Sequence, residues 1–467
     1  PIWPANTRRM NVLKHALKEV FQDTQLLPDK RIRLGWQAMH NNGNALTNYQ
    51  DTSFWYKTGT NPGKGKTPGA NNVGTTSTGA KNSIRYLDAT HRANFIQFVD
   101  YMLPKDGTPS HRMFQQADKY LRDTALDTNS PWAAVPGTTD KPFLGCRRNY
   151  HIMMSDGRWN GDASGGDQDG IPWATSGGRL AYSTSSDQTR IYRDTDPDNL
   201  ADWAFKSWME PLKSTGLEHA DKIKQSKTYE DAPPTELFSV ARNVSTIVTA
   251  PGNNSTQRKN ACLAIPGEWL GGATNNCKVT NTETKSVNLQ RYWNPKYNPA
   301  TWPHMVTYTI GFSEEAVTWP GATNIISPTD QAPFGYDKGF ADIVTGWETW
   351  PTMSNDSKRS LDMWHAAING RGRFYAVRKG EDLIKAFKDI LGNIDKESST
   401  LPDTVAVGAA ASGFNTTRGN AGNFSSSYNG KDGWKGWVSA SPAREPIKGP
   451  CPADPSTTCD FSPDPTK

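Results

Sequence analysis

The sequence predicts an α/β fold built on a doubly wound, mostly parallel sheet, with large polar insertions and an all-β segment after it. Stretches of helical and strand character alternate as far as about residue 398, the order that puts helices on both faces of a parallel sheet. Two stretches, NYHIMMSDG (149–157) and HMVTYTIGF (304–312), are apolar on both sides of the strand period. Strands covered on both faces have that pattern. Beyond Thr400 the chain changes to short β-prone pieces with Gly and Trp, KDGWKGWVSA (431–440) among them. The expected division is therefore an α/β domain over 1–400, interrupted at about 41–81, 158–199 and 249–300. A linker and the start of a different, all-β domain follow over 401–467.

In order, Met10, Leu13, Ala16, Leu17, Val20 and Phe21 share one helical face, with Thr7 as N-cap. Ile32, Leu34, Trp36 and Ala38 alternate, predicting a strand over 31–39. Residues 41–81 turn to Asn, Gly, Thr and Lys. They contain GKGKT (63–67), which lacks the glycine spacing, preceding strand and following helix of a phosphate loop. Asp88 caps a helix carrying Phe95 and Val99, and Thr108 with Pro109 opens another carrying Met113, Tyr120 and Leu121. After the strand at 150–155 and a polar region, Leu200, Trp203, Ala204 and Trp208 mark an amphipathic helix. Residues 236–248 read as helical. Residues 364–377 give helix, turn and strand, and Leu383, Phe387, Ile390, Leu391 and Ile394 form a closing helix.

Composition narrows the class. Only 35% of the 467 residues are hydrophobic, yet 17 Trp, 15 Tyr and 16 Phe argue for an ordered scaffold bearing long polar loops. The 52 basic and 47 acidic residues leave a net charge of +5 without charge runs, too mild for a nucleic-acid surface. No apolar run reaches membrane-spanning length. Of the cysteines, Cys262 and Cys277, and likewise Cys451 and Cys459, lie close together in polar loops. Such local pairs suit loop-closing disulfides in an oxidising compartment. Cys146 is left over, either a buried thiol or the partner of a cysteine elsewhere.

Common catalytic signatures are missing: no HExxH, no GxSxG and no zinc-spaced Cys/His array. His304 and His365 sit beside apolar runs and read as core histidines. Asp194, Asp196, Asp198 and Asp202 have the early spacing of a calcium loop but lack its sixth-position glycine and twelfth-position glutamate, so they read as a solvated turn entering a helix. What remains is Thr108 and Asp156, both expected in loops at one edge of the sheet. Each has an ordinary alternative, helix capping for Thr108 and a turn with Gly157 for Asp156. Together, a hydroxyl and a carboxylate are hard ligands suited to Mg, Ca or Mn.

The order RRMNVLKHALKEVF, RIRLGW, DGTPSHRMFQQADKYL, CRRNYHIMMSDG resembles that of a von Willebrand factor A domain. More specifically, CRRNYHIMMSDGRWN, NLADWAFKSWMEPL, WPHMVTYTIGF and DMWHAAINGRGRFYAVRKGEDLIKAF resemble the PilC/PilY-type tip adhesins of bacterial type IV pili. The likeness covers residue 8 to about 440. It implies an A domain followed by a β-propeller and a non-enzymatic, extracellular protein at the pilus tip. Expected partners are minor pilins and a host or surface receptor. It also implies a divalent cation held by Thr108, Asp156 and a D-x-S-x-S loop after the first strand. PIWPANT supplies neither strand nor loop, so both are expected upstream of Pro1. The alternatives are an A-domain module of another surface or fimbrial complex and, from a different class, a metal-dependent hydrolase needing a general base that the sequence does not offer.

Overall fold

In the computed structural model the described residues are 9–37, 83–101, 108–122, 126–128, 130–155, 159, 179–197, 199–265, 267–271, 276–312, 338–353, 356–377 and 379–398, together with the strands at 405–406, 422–429, 435–442, 447–451 and 454–461. The chain divides into two compact units, Pro1–Gly392 and Asn393–Lys467.

The first unit is mixed α/β. In order it contains α1 (Arg9–Gln22), β1 (Arg33–Leu34), β2 (Arg85–Tyr86), α2 (Ala89–Tyr101), α3 (Ser110–Arg122), β3 (Ala133–Val135), β4 (Thr139–Phe143), β5 (Asn149–Ser155) and α4 (Leu200–Met209). A one-turn α5 (Lys227–Glu230), β6 (Thr235–Thr249), α6 (Ser255–Ala264), β7 (Gly267–Gly271), β8 (Asn276–Gln290) and β9 (Met305–Phe312) follow. The unit closes with α7 (Lys338–Thr345), α8 (Asp356–Asn369), β10 (Arg371–Val377) and most of α9 (Gly380–Ser398).

Its centre is a parallel sheet in the order β10-β9-β5. All eight residues of β9 are buried, as a strand with a neighbour on each side and cover on each face must be. Met305, Thr307 and Thr309 alternate with Val306, Tyr308 and Ile310. The first set faces α8, where Thr309 donates its hydroxyl to the Met363 carbonyl at 2.6 Å. α4 packs on α8 and on β9. Elsewhere in the unit, Phe21 of α1 meets Phe95 of α2 at 4.8 Å and Phe387 of α9 at 6.4 Å between ring centroids.

β10 enters through NGRGR. Arg371 has φ +59°, and a Cβ on Gly372 would stand 1.9 Å from the Thr307 carbonyl oxygen. Only glycine allows that approach to β9. The turn swings the buried Arg371 guanidinium to 4.0 Å from the Trp208 ring centroid and 5.0 Å from that of Tyr192, a desolvated cation–π arrangement. Trp208 in turn donates Nε1–H to Asn298 Oδ1 (3.2 Å), and Trp302 Nε1–H is donated to the Trp208 carbonyl (2.7 Å).

Two expectations are corrected. Residues 236–248 are not helical: β6 is a 15-residue strand paired residue for residue with β8 in an antiparallel sheet ordered β6-β8-β7. The interruption expected at about 249–300 thus carries regular structure, two strands and α6, and shares its sheet with β6. RIRLGW contributes only the two-residue β1, antiparallel to β2. The Leu34 carbonyl is instead taken by His91 Nε2 at 2.7 Å, and Trp36 packs on Phe95 at 5.2 Å. Pairing therefore stops at Leu34 within the described part of that segment.

Cys262 of α6 and Cys277 of β8 are bonded, with Cα atoms 5.6 Å apart, and both are buried. Cys146 is an unbonded, half-buried thiol. In the second unit β11 (Val405–Ala406), β12 (Gly422–Asn429) and β13 (Lys435–Pro442) form an antiparallel sheet, while β14 (Ile447–Cys451) and β15 (Asp454–Phe461) form a separate pair. Cys459 registers with Gly449 and Cys451 with Asp454. The side chains of Cys451 and Cys459 lie outside the described residues. No described helix is long and apolar enough to cross a membrane.

Candidate functional site at the carboxyl edge of the sheet

Helices that follow or precede parallel strands start at the strands' carboxyl ends, so the N-termini of α3, α4 and α8 gather at one edge. There the exposed N–H groups of a first turn need acceptors. Asp362, fully buried, accepts from Leu200 N–H (3.2 Å) and Ala201 N–H (3.1 Å) at the start of α4, and its Oδ2 lies 3.2 Å from His111 Nε2 in α3. Asn199 completes the cap. Its side chain accepts from Asp202 N–H, and the Asp202 carboxylate accepts from Asn199 N–H. This is a capping box.

A second buried pair stands nearby in the chain order. His365 Nδ1 is 3.1 Å from Asp194 Oδ2, and the His365 ring stacks on Trp350 at 4.0 Å. Burial drives the Asp194 carboxyl upward, but the His365 imidazole, the Asn199 amide and the Asp196 N–H together hold it below its ordinary value. Asp196 accepts from Met353 N–H at 2.5 Å. The described carboxylates of the calcium-like run therefore serve the turn into α4, as its sequence implied, but Asp194 and Asp202 are buried there and not solvated; Asp198 lies outside the described residues.

His304 is a satisfied core histidine. Nδ1–H is donated to the Trp302 carbonyl (2.7 Å) and Nε2 accepts from the Asn298 amide (2.8 Å). Burial pushes it down to about 4. His151 in β5 is pushed down to about 4 for the same reason.

Thr108 is half-buried at the start of α3, its carbonyl accepting from Ser110 N–H at 2.9 Å. Asp156 lies outside the described residues. The nearest described residue past it, Trp159, packs its ring, tilted by 50°, on His111 with centroids 4.1 Å apart and sits 4.9 Å from the Arg359 guanidinium, which also donates to its carbonyl at 3.1 Å. Trp159 thus fastens its loop to α3 and α8. Trp55 and Trp173, the tryptophans that with Trp159 punctuate the polar insertions at 41–81 and 158–199 as candidate anchors, fall outside the described residues, as does GKGKT. Among the described residues no group of three or more His, Cys, Asp or Glu gathers to hold a metal ion, so those residues alone do not make a cation site. The sequence did not single out Asp362 or His111; a carboxylate inside the apolar stripe of LDMWHAA was the available sign.

The first unit is thus a mixed α/β unit with a parallel sheet. Over 319 residues, 67% of its length, the chain is 31% identical to a protein named type IV pilus biogenesis factor PilY1 from Pseudomonas aeruginosa strain PAO1. The protein of that name from strain PAK is 30% identical over 319 residues, and that from strain UCBPP-PA14 is 26% identical over 329 residues. These likenesses support a PilY1-type relationship. The chain spans 21% of the length of each relative. No family model matches the chain, and no solved structure does.

Proposed function

We propose that this chain is the von Willebrand factor A-like region, and the start of the β-propeller, of a type IV pilus biogenesis factor. In this reading it acts without enzymatic chemistry as an extracellular adhesin and assembly factor at the pilus tip, contacting minor pilins on one side and a host cell or surface on the other. The observation that carries the reading is the shared sequence with the named biogenesis factors. Its support in the fold is that NLADWAFKSWMEPL, WPHMVTYTIGF and the NGRGR turn meet around Trp208 and Arg371, so the specific stretches encode one core. Residues 41–81 and the part of 158–199 that precedes the buried Tyr182, Ile191 and Tyr192 are then the segments proposed to face the receptor.

A divalent cation shared by Thr108 and Asp156 belongs to the same proposal, with further ligands from outside the described residues. The reading is supported by the His111–Trp159 ring contact, because His111 lies three positions after Thr108 and Trp159 three positions after Asp156. In the full-length protein, Asp156→Ala should abolish cation-dependent adhesion while leaving the fold intact. Equal divalent-cation affinity in wild type and variant would remove the cation from the proposal. Normal piliation and attachment in a strain lacking the gene would remove the adhesin and assembly roles.

A further inference from the structure

Arg33 of β1 and Arg147, in the linker between β4 and β5, are half-buried and reach the same short stretch of backbone. Arg33 Nη1 donates to the Pro131 carbonyl at 2.8 Å. Arg147 donates through Nη1 to the Ala133 carbonyl at 2.5 Å and through Nη2 to the Ala134 carbonyl at 2.8 Å. Carbonyls two residues apart are separated by at most about 7 Å, so the two guanidinium groups are anchored side by side. Burial weighs against the charge on each, and the Arg147 charge weighs further against that of Arg33. Other arginines of the unit are answered by carboxylates: Arg92 by Asp29 at 3.1 Å, Arg122 by Asp118 at 2.8 Å and Arg242 by Asp342 at 2.7 Å. The groups that answer Arg33 and Arg147, among the described residues, are Tyr86, Tyr120 and the Cys146 thiol, which are not anions at neutral pH.

We propose that Arg33 and Arg147 hold a phosphate or sulfate group beside Cys146 and the β3–β4 hairpin. The site is built on rigid parts, with β1 carrying one guanidinium and the hairpin carbonyls fixing the direction of both. Each guanidinium has five N–H donors. Those on Arg33 Nε and Nη2 and on Arg147 Nε are left over among the described residues and are not sealed from solvent. Two cations that repel one another match a doubly charged tetrahedral oxyanion better than a single carboxylate, and guanidinium forks suit its oxygens. Arg85 of β2 extends the basic side of the site: its guanidinium lies on the hairpin turn, where a Cβ on Gly137 would stand 2.7 Å from Nη1. Neutral donors could have fastened the same carbonyls without the repulsion, and an anion between the two charges removes it.

The test follows thermal unfolding of the 467-residue chain in rising sodium phosphate, against sodium chloride of matched ionic strength. A saturable rise in midpoint is expected with phosphate and not with chloride. Arg33→Gln and Arg147→Gln should each weaken the phosphate effect by about ten-fold or more, the worth of one charge-assisted bond. Phosphate should also slow alkylation of Cys146, read by peptide mapping, because the anion covers the thiol and cancels the cations that favour its thiolate. Phenyl phosphate separates the two sources of the group. A matching rise shows an open site that takes an ester carried on a larger molecule, and no rise shows a closed site for the free anion. An unaltered midpoint in wild type overturns the inference, as does an equal rise in both variants. Should the variants not fold, unchanged Cys146 alkylation of wild type at high phosphate overturns it by itself.

Discussion

His111 and Asp362 are 251 positions apart in the chain and 3.2 Å apart in the fold, with the Asp362 carboxylate also holding the first two N–H groups of α4. Three helices are fastened by one buried side chain. Asp362→Ala would leave two helix N–H groups and an imidazole without their acceptor. Loss of a buried, hydrogen-bonded charge costs about 3–5 kcal/mol. Urea unfolding of the variant should show a loss in that range, and a loss below about 1 kcal/mol would contradict the role given to Asp362.

Trp208→Ala should be comparably damaging, by about 3–5 kcal/mol, because it opens a void under the Arg371 guanidinium and leaves Asn298 Oδ1 with Ala300 N–H as its remaining described donor. Arg371→Gly separates the contributions. Glycine accepts the left-handed backbone that Arg371 holds at φ +59°, so its stability loss reports the guanidinium alone and should be smaller than that of Trp208→Ala. The reverse order in chemical denaturation would show the Arg371 side chain, not the Trp208 ring, to contribute more.

The pH dependence follows from His151 and His304, both held near 4 by burial against an ordinary 6.5. Above pH 6.5 each is neutral in both folded and unfolded chain and adds no slope. Between pH 6.5 and about 4 the unfolded chain takes up protons that the folded one does not. Stability therefore falls as pH falls, by about 1.4 kcal/mol per pH unit for each group. Unfolding midpoints at pH 7 and pH 5 measure it. A flat profile over that window would show that these rings can charge inside the fold.

Reducing the Cys262–Cys277 bond, or replacing both residues with serine, releases a link between positions 15 apart. The chain-entropy estimate for a loop of that size is about 3 kcal/mol. The loss should appear as faster proteolysis at the α6 end of the β6-β8-β7 sheet, with cleavage rates around β9 unchanged. Equal protection in the reduced and oxidised protein would count against a local staple.

Much of this was legible from residues alone. β9 announced itself because a strand covered on both faces has no polar side to show, β10 by following a helix and a turn, and α8 and α9 by their apolar stripes; β5, read the same way as β9, is only partly buried. β6 was misread because Leu237, Val240, Ala241, Val244 and Val248 fall by chance at helical spacing. The run of β-branched residues from Val244 to Thr249, and the facing Thr- and Val-rich β8, decided the matter. The Asp362–His111 pair could not be read at all, since nothing local records a contact between such distant positions. The capping box of Asn199 and Asp202 could have been, because its two members lie three apart.

The strand order β10-β9-β5 has a consequence for how the molecule is made. β9 can meet β5 only after some 150 residues of intervening chain, and its other edge stays bare until residues 371–377 arrive. The strand pairing of the antiparallel β6-β8-β7 sheet lies wholly within 235–290 and can form, with its disulfide closed, before β9 exists. On a chain emerging amino end first, a finished side sheet would therefore wait beside an unfinished centre. The late NGRGR turn is then the step that commits the whole unit, because it closes the sheet and seats Arg371 against Trp208 together.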